Sequence, residues 1–389
     1  MSPWVPPRLR IAVLNRVFDS TGGGAERYSI ALVEQLALRH EVHVFAQQIN
    51  HQAAGVNYHR VAMPMRKPRW LNQLWYAFAT WRATRTGFDI VHSHENTWHG
   101  QVQTVHVVPV RHNLFQGRTG LRRVLRWVKV VTSPRLLTYL GLERLRFRAL
   151  KARRVVVTSA SLGETMAATY PDSSGMTSVI TPGVSFPELA AGEDGKGKAR
   201  QALGLPAQDF CLLFVGNDYR KKGLDTLLQV LATLPDQVVL AVVGNPAPIP
   251  EFRRRAESLG ITGRVFFLGA LQDVAPAYRA ADVLVHPTLE DTFAMVVLEA
   301  MAHGLPVVVS SAAYCGISSL LSHGVNALLL DDPRSAQALD AALRLLSGDE
   351  DLRRELGGQG RLFASCYRWE DIARQQEAVY FSSLAASKN

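Results

Sequence analysis

This 389-residue sequence predicts an α/β fold of two doubly wound, Rossmann-like halves. Short apolar, β-like runs alternate with helical segments, the pattern of a parallel sheet with crossover helices. The alternation is interrupted once, by a Gly-, Ala- and charge-rich stretch at 187–200, and then starts again. The length agrees, because single hydrophobic cores stop growing near ~250–300 residues.

In the first half, Arg10–Leu14 (RIAVL) reads as a buried strand. The loop Asn15–Gly24 ends in three glycines, and a helix is expected from Ala25 to Leu38. Glycines between a first strand and a helix let backbone approach a phosphate or sugar, although such a run is often only a turn. Neither the GxGxxG spacing nor the GK[ST] of a P-loop is present. Further strands are expected at Glu41–Ala46, Asn57–Val61, Asp89–His92, Val102–His106, Arg154–Ser159 and Ser178–Thr181.

In the second half, strands are expected at Cys211–Val215, Gln237–Gly244, Arg264–Leu268, Asp282–His286 and Leu305–Ser310. Helices near 222–234, 250–259, 273–281 and 293–303 fall between them. The tail, 335–347 and 349–384, reads as helix packing back over a hinge near 183–200. The cleft between two such halves is the expected binding site.

The formal net charge of +10 suggests an anionic partner. The imbalance is concentrated. Arg111–Arg154 holds thirteen Lys or Arg against one acid, Glu143, a local +12. An anionic membrane surface or substrate fits this better than nucleic acid, for which no binding motif is present. Residues 70–82 place Trp70, Leu71, Leu74, Trp75, Phe78 and Trp81 on one helical face, flanked by Arg66, Lys67, Arg69, Arg82 and Arg85. Such a stripe ordinarily faces a core; aromatics with basic flanks also suit a membrane interface. The three cysteines, Cys211, Cys315 and Cys366, are scattered, with no CxxC or zinc spacing, which fits a reduced, cytoplasmic protein. The start, MSPWVPPRLR, lacks the apolar run of a signal peptide, and no stretch nears ~18 apolar residues, so no spanning helix is expected.

Two loops carry candidate chemistry. Residues 283–311 read as strand, loop, helix, strand, with Asp291 or Thr292 as the helix N-cap and Gly304 as its stop. A helix N-terminus favours phosphate, and Glu299, about two turns on, could accept hydrogen bonds from a ribose diol. A plain βαβ unit with a capping Asp and a paired Glu explains the same spacing. The loop Val215–Gly223 (VGNDYRKKG) also follows a strand and precedes a helix; there Lys222 could neutralise a pyrophosphate. Solvated lysines are the plainer reading, but the helix dipole disfavours them at that end.

Taken together, the two halves, the Asp291–Glu299 spacing, the VG…KKG loop and the GGGAE loop resemble a GT-B-fold, family 4 retaining glycosyltransferase. The family pattern places an acid, seven residues and then Glu, usually as E-[GS]-F-G-x-x-x-x-E-A-M-A-x-G-x-P-V. Residues Asp291 to Val308 match it closely. The G-[SN]-D-[FY]-x-x-K-G form of the second loop is similar to lipopolysaccharide-core glucosyltransferases.

The resemblance implies two Rossmann-like domains facing each other across a cleft: an N-terminal acceptor-binding domain at 1–183 and a nucleotide-sugar-binding domain at 184–365. A C-terminal helix at 366–389 would pack back on the first. On the donor side it implies Gly23, Gly24, Gly216, Asn217, Arg220, Phe267 and Leu268. Lys222 would bind the pyrophosphate, Glu299 the ribose hydroxyls, and Asp291 would lie close to the sugar. Phe293, Ala294 and Met295 would offer backbone N–H groups to sugar or phosphate. On the acceptor side it implies Gly22, Glu26 and His106, the last near the reacting centre, with Lys222 and Asp291 also in catalytic positions. Without the resemblance, His106 reads equally as a satisfied core histidine.

Three departures stand out. Asn217 replaces a usual Arg, with Arg220 or Lys221 as candidates for its charge. Asp291 is one methylene shorter than the usual Glu. Ser319 falls where a third acid is expected. The reaction implied is transfer from a nucleotide diphosphate sugar, UDP-sugar favoured, to a membrane-associated glycan or glycolipid, peripheral on the cytoplasmic face of the inner membrane. No cofactor or metal is expected; Asp349-Glu350-Asp351 looks like helix capping. Alternatives are a nucleotide-sugar 2-epimerase, or a basic membrane- or polysaccharide-binding protein without activity.

Overall fold

The computed structural model describes residues 7–19, 22–187 and 194–388. The centre of the expected linker, 188–193, and the first six residues lie outside the described residues, as do Ser20 and Thr21 of the glycine loop. The chain divides into two compact units, Met1–Pro182 with Trp369–Asn389, and Gly183–Arg368.

The first unit is built on a seven-stranded parallel sheet. Its spatial order is Val56–Arg60, Glu41–Ala46, Arg10–Leu14, Ile90–Ser93, Val102–Val105, Arg154–Val157, Thr177–Val179. The second has a six-stranded parallel sheet ordered Val265–Gly269, Val238–Val243, Phe210–Val215, Val283–His286, Val307–Ser310, Leu328–Leu330. Each sheet grows outward from its first strand in one direction and then in the other. The reversal opens a crevice beyond the carboxyl ends of the two central strands, where ligands of doubly wound sheets bind. In the first unit this point lies between Arg10–Leu14 and Ile90–Ser93. In the second it lies between Phe210–Val215 and Val283–His286.

The strands read as continuous apolar runs because both faces are covered. Along Phe210–Val215, Leu212 and Phe214 enter one core while Cys211, Leu213 and Val215 enter the other. Each such side chain contributes about 1.5–3 kcal/mol on burial. The Leu328–Leu330 strand was not anticipated, nor was a two-stranded piece pairing Val17–Phe18 with Gln48–Ile49. Three residues and two residues are too short to show a period of two.

The tail is three helices. Ala336–Gly348 packs on Leu224–Leu231, and Glu350–Ala364 packs on Met295–Ala302. The Asp349 side chain caps the second of them by accepting from the Leu352 amide at 2.9 Å. The last helix, Trp369–Lys388, joins the first unit and packs on Gly24–Ala37, as expected of the C-terminal helix. Trp369, Ile372, Ala373, Gln376 and Tyr380 form its buried stripe. Its Glu377 holds Arg39 at 2.7 Å and His40 at 3.0 Å.

The aromatic helix turns the opposite way from a core-facing stripe. In Arg69–Thr84 the buried residues are Asn72, Gln73, Tyr76, Ala77, Thr80 and Thr84, while Trp75, Phe78 and Trp81 are exposed. Polar pairing decides the orientation. Asn72 and Gln47 exchange side-chain hydrogen bonds at 2.8 and 2.9 Å, and the Tyr76 hydroxyl donates to the Phe45 carbonyl at 2.8 Å. The basic stretch forms the helices Val110–Phe115, Gly120–Val131 and Pro134–Arg146. Arg146 and Arg153 are buried against backbone carbonyls, whereas Arg122, Arg123 and Lys129 are exposed. Of Gly120–Val131 only Val130 is buried; Leu121, Val124, Leu125, Val128 and Val131 lie open to solvent along one side.

Candidate functional site

In the second unit, the loops after Phe210–Val215 and Val283–His286 meet at the sheet's reversal point. The close approach of Gly223, at φ +82°, makes this possible: a Cβ there would come within 1.9 Å of the Pro287 carbonyl oxygen. Gly244, at φ +146°, just after Val238–Val243, comes equally close to Gly216, where a Cβ would lie 1.9 Å from the carbonyl oxygen. Lys222 lies against Gly216, and its Nζ reaches the Asp291 Oδ2 at 2.5 Å and donates to the Glu290 carbonyl at 3.2 Å. Glu290, the neighbour, is half exposed and pairs with Lys221 at 2.9 Å.

Asp291 is not the helix N-cap. The helix is Met295–Ala302, and its N-cap is Ala294 in the left-handed region at φ 72°. Asp291 Oδ1 instead accepts the amides of Phe293 at 3.2 Å and Ala294 at 2.9 Å, which bends the chain into the helix. Two of the three amides expected to face a donor are thus engaged inside the loop. Met295, at the first helical position, has no intrahelical acceptor for its amide. Ala294 stands where the family pattern has Gly, and it is the one non-glycine positive-φ residue among the described residues.

His286 completes the group. It is buried at the end of its strand, with Nε2 3.2 Å from Asp291 Oδ2. Burial lowers the basicity of the imidazole, only partly offset by Asp291. For Asp291, burial alone would raise the carboxyl pKa; the hydrogen bond with His286 and the charge of Lys222 outweigh it and hold the group well below the usual carboxylate range. One turn into the helix beyond Met295, Glu299 Oε2 accepts the Tyr278 hydroxyl at 2.7 Å. Tyr278 in turn lies against the His303 ring, with centroids 5.1 Å apart.

The remaining donor-side residues are less convergent. Asn217 Oδ1 accepts the Asn245 amide at 3.0 Å, bracing the neighbouring loop. Arg220 pairs with Glu251 and Lys221 with Glu290, so both candidate replacements for the family arginine are engaged with carboxylates. Phe267 and Leu268 are half-buried on the edge strand, and pack on opposite cores. Ser319 donates to the Gly316 carbonyl at 2.8 Å.

In the first unit, Gly23 caps the Gly24–Ala37 helix, and Glu26 folds back over the glycines. A Cβ on Gly22 would meet the Glu26 side chain at 2.9 Å. His106 ends the strand Val102–Val105, with Nε2 2.9 Å from His94 Nδ1 and the two rings stacked. Tyr28 sits edge-on to His106, with centroids 4.9 Å apart. Burial, then the Arg146 charge, pushes the His106 imidazole down to about 3. His106 is thus neutral and hydrogen-bonded, a poor base.

His286, Tyr278 and His94 escaped the sequence reading. His286 and His94 carried a signal: each is a polar residue at or just past the carboxyl end of a strand beside the reversal point. Tyr278, inside a short helix, carried none.

The comparisons follow this geometry. Residues 195–363 match the family described as Glycosyl transferases group 1, and residues 22–186 match Glycosyltransferase Family 4. The chain belongs to the family 4 glycosyltransferases. Among relatives of this family 4 chain, the D-inositol 3-phosphate glycosyltransferase of Corynebacterium urealyticum is 33% identical over 226 residues, 55% of this chain and 53% of that protein. The lipopolysaccharide glucosyltransferase WaaG of Escherichia coli is 28% identical over 233 residues, 58% and 61% of the two chains. The chain thus spans about half the length of the curated relatives it matches. A crystal structure of WaaG, 22% identical, superposes with a TM-score of 0.81 over 94% of this chain and 98% of that one. Anabaena Alr3699/HepE in complex with UDP-glucose, 20% identical, gives 0.76 over 95% and 99%. These two structures share the GT-B fold with this family 4 chain.

Proposed function

We propose that this chain is a retaining, metal-independent hexosyltransferase. It takes a sugar from a nucleotide diphosphate sugar, UDP-sugar first, and passes it to a membrane-associated anionic glycan or glycolipid such as lipopolysaccharide core or a surface-polysaccharide precursor. The observation that carries the reading is the meeting of Lys222 and the Asp291–Glu299 segment at the reversal point of the second sheet. Lys222 offers an ammonium to a departing diphosphate, whose growing negative charge is what the reaction must stabilise. Glu299, oriented by Tyr278, takes the ribose hydroxyls. The amide of Met295 adds a donor at the helix start. His106, with its low basicity, positions a hydroxyl rather than removing its proton. The leaving phosphate takes the acceptor proton as attack comes from the same face.

The relatives' names support the class. WaaG is a lipopolysaccharide glucosyltransferase, and the HepE complex holds UDP-glucose. The acceptor reading also draws on the open helix Gly120–Val131, whose exposed apolar side and flanking arginines suit the headgroup region of an anionic bilayer on the cytoplasmic face of the inner membrane. No helix among the described residues is long and apolar enough to cross a membrane.

A thermal-shift screen of UDP-, GDP- and ADP-sugars names the donor, because a ligand of the folded state raises Tm. Transfer to an acceptor extract should then survive excess chelator and fall with Lys222→Ala. Full turnover by a folded Lys222→Ala variant would remove the phosphate role. Release of a free epimer without acceptor would make the chain a 2-epimerase. For the surface, Leu125→Asp with Val128→Asp should abolish co-flotation with vesicles containing phosphatidylglycerol.

A further inference from the structure

The first unit holds a charged pair at its own reversal point. Arg16 lies two residues past Arg10–Leu14, and Glu95 two residues past Ile90–Ser93. Glu95 takes the Arg16 backbone amide on Oε1 at 3.1 Å and the side-chain Nε on Oε2 at 2.9 Å. Both partners are fixed from behind. The Arg16 carbonyl accepts the Gln47 and Gln48 amides at 2.9 and 3.0 Å. Ser93 Oγ accepts the Glu95 amide at 3.1 Å, and the Gln73 side chain donates to the Asn96 carbonyl at 2.9 Å. One edge of the guanidinium is left over. Of its five N–H donors only the one on Nε is spent. The two η nitrogens meet no hydrogen-bond partner among the described residues, and they are not sealed in, because the side chain is 31% exposed. Arginines that serve the fold alone look different. Arg153 and Arg200 are buried and spend their η nitrogens on backbone carbonyls or on Asp282. Nor does Glu95 cancel the charge at this spot, since the buried Arg146 also lies in its field.

We propose that Arg16 selects the acceptor: its free edge takes a phosphate or carboxylate group carried by the glycan, while Glu95 holds the guanidinium in place. The inference rests on the reading of the chain as a glycosyltransferase with an anionic acceptor, and it names the residue that reads the charge. Two parallel N–H donors match two oxygens of an oxyanion, a geometry that a lysine does not offer. The restraint by Glu95 favours binding, because a side chain already ordered loses little freedom when the ligand arrives. The position agrees, since doubly wound sheets take their ligands beyond the carboxyl ends of the central strands, where Arg16 and Glu95 stand.

Isothermal titration of the full chain, with UDP saturating and ionic strength fixed, tests this. The probes are glucose 6-phosphate, glucuronate and the uncharged methyl glucoside. The variants are Arg16→Gln and Arg16→Lys, each checked for an intact melting transition. Arg16→Gln/Glu95→Gln, which leaves no lone carboxylate, serves if the single Gln variant does not fold. The wild type should bind at least one charged probe about ten- to a hundred-fold more tightly than methyl glucoside, the range of one charge-assisted interaction. A preference for glucose 6-phosphate makes the acceptor group a phosphate, and one for glucuronate makes it a carboxylate. Arg16→Gln should erase the preference without changing the affinity for UDP. Arg16→Lys should lose most of it as well, because an ammonium taken up by Glu95 presents no second edge. Equal affinity for the three probes in the wild type, a preference that survives in Arg16→Gln, or one kept whole by Arg16→Lys overturns the proposal. So does a fall in UDP affinity with Arg16→Gln, which would put the arginine on the donor. No UDP binding by the wild type overturns the UDP-sugar reading instead, and it is told apart because it shows before any sugar probe is added.

Discussion

Gly223→Ala should break the site from outside its chemistry. At φ +82°, an alanine is in the left-handed region, at a cost of roughly 1–2 kcal/mol. Its Cβ would lie 1.9 Å from the Pro287 carbonyl oxygen and 2.8 Å from the carbonyl carbon. That is roughly 1.5 Å inside van der Waals contact. Backbone, unlike the end of a side chain, cannot rotate away, so the two loops must part by about that distance. Overpacking of this kind adds about 1–3 kcal/mol. The total, about 2–5 kcal/mol, corresponds to a Tm drop of roughly 4–20 °C for a unit of this size. The same displacement stretches the Lys222–Asp291 pair from 2.5 Å to about 4 Å, where a directed hydrogen bond is lost. UDP affinity should therefore fall at least several-fold. Gly260→Ala is the control, since φ is +71° there and nothing lies within 4 Å of the added Cβ. It should carry only the conformational cost and leave UDP binding unchanged. Scanning calorimetry and UDP titration read both effects. If Gly223→Ala melts with Gly260→Ala and binds UDP like the wild type, the close approach is not what assembles the site.

Further outcomes follow from the same geometry. Tyr278→Phe removes the 2.7 Å hydrogen bond to Glu299 and should weaken UDP several-fold with little change in fold, read by titration and circular dichroism. Ala294→Gly relieves the left-handed strain at the helix start; the gain, about 1–2 kcal/mol, is partly offset by glycine's greater freedom when unfolded, so Tm should rise by no more than a few degrees. His92 is fully buried, with its basicity lowered to about 3, first by burial and then by His106 and Arg146. Its folded pKa lies below the ordinary 6.5, so between those values the unfolded chain binds the extra proton. The stability is complete above about pH 6.5 and falls as pH drops toward 3, by about 2 kcal/mol at pH 5. Urea melts at pH 7 and pH 5 should show a loss at least this large, and His92→Gln should reduce it by about His92's share, since His106 and other buried imidazoles are lowered in the same way.

Much of the architecture was legible because a parallel sheet covered on both faces leaves unmistakable runs, as at Val238–Val243 and Val307–Ser310. The candidate donor residues were legible for a related reason. Ligands of such sheets meet loops at the carboxyl ends of strands, and Lys222, Asp291 and Glu299 stand in or just beyond those loops. Of the two readings of the stripe at 70–82, the core-facing one fails, because hydrophobicity alone ranks Trp75 above Asn72. In the fold, the hydrogen bonds of Asn72, Gln73 and Tyr76 outweigh that ranking.

The sequence by itself determined the two-sheet plan, and its motifs carried the resemblance to the family and with it the candidate residues for a nucleotide diphosphate sugar. The plan follows from local periodicity; the candidates follow from the likeness of the Val215–Gly223 and Asp291–Val308 segments to the family pattern. Only the tertiary structure decided what those residues do to one another. Lys222 and Asp291 are 69 positions apart and come together because the sheet reverses its order between their strands and Gly223 lets backbone touch backbone. The seating of Tyr278 on Glu299, 21 positions away, is likewise a tertiary contact, whereas the turning of His286 toward Asp291 and the two amides that Asp291 accepts lie within five positions along one strand and its loop.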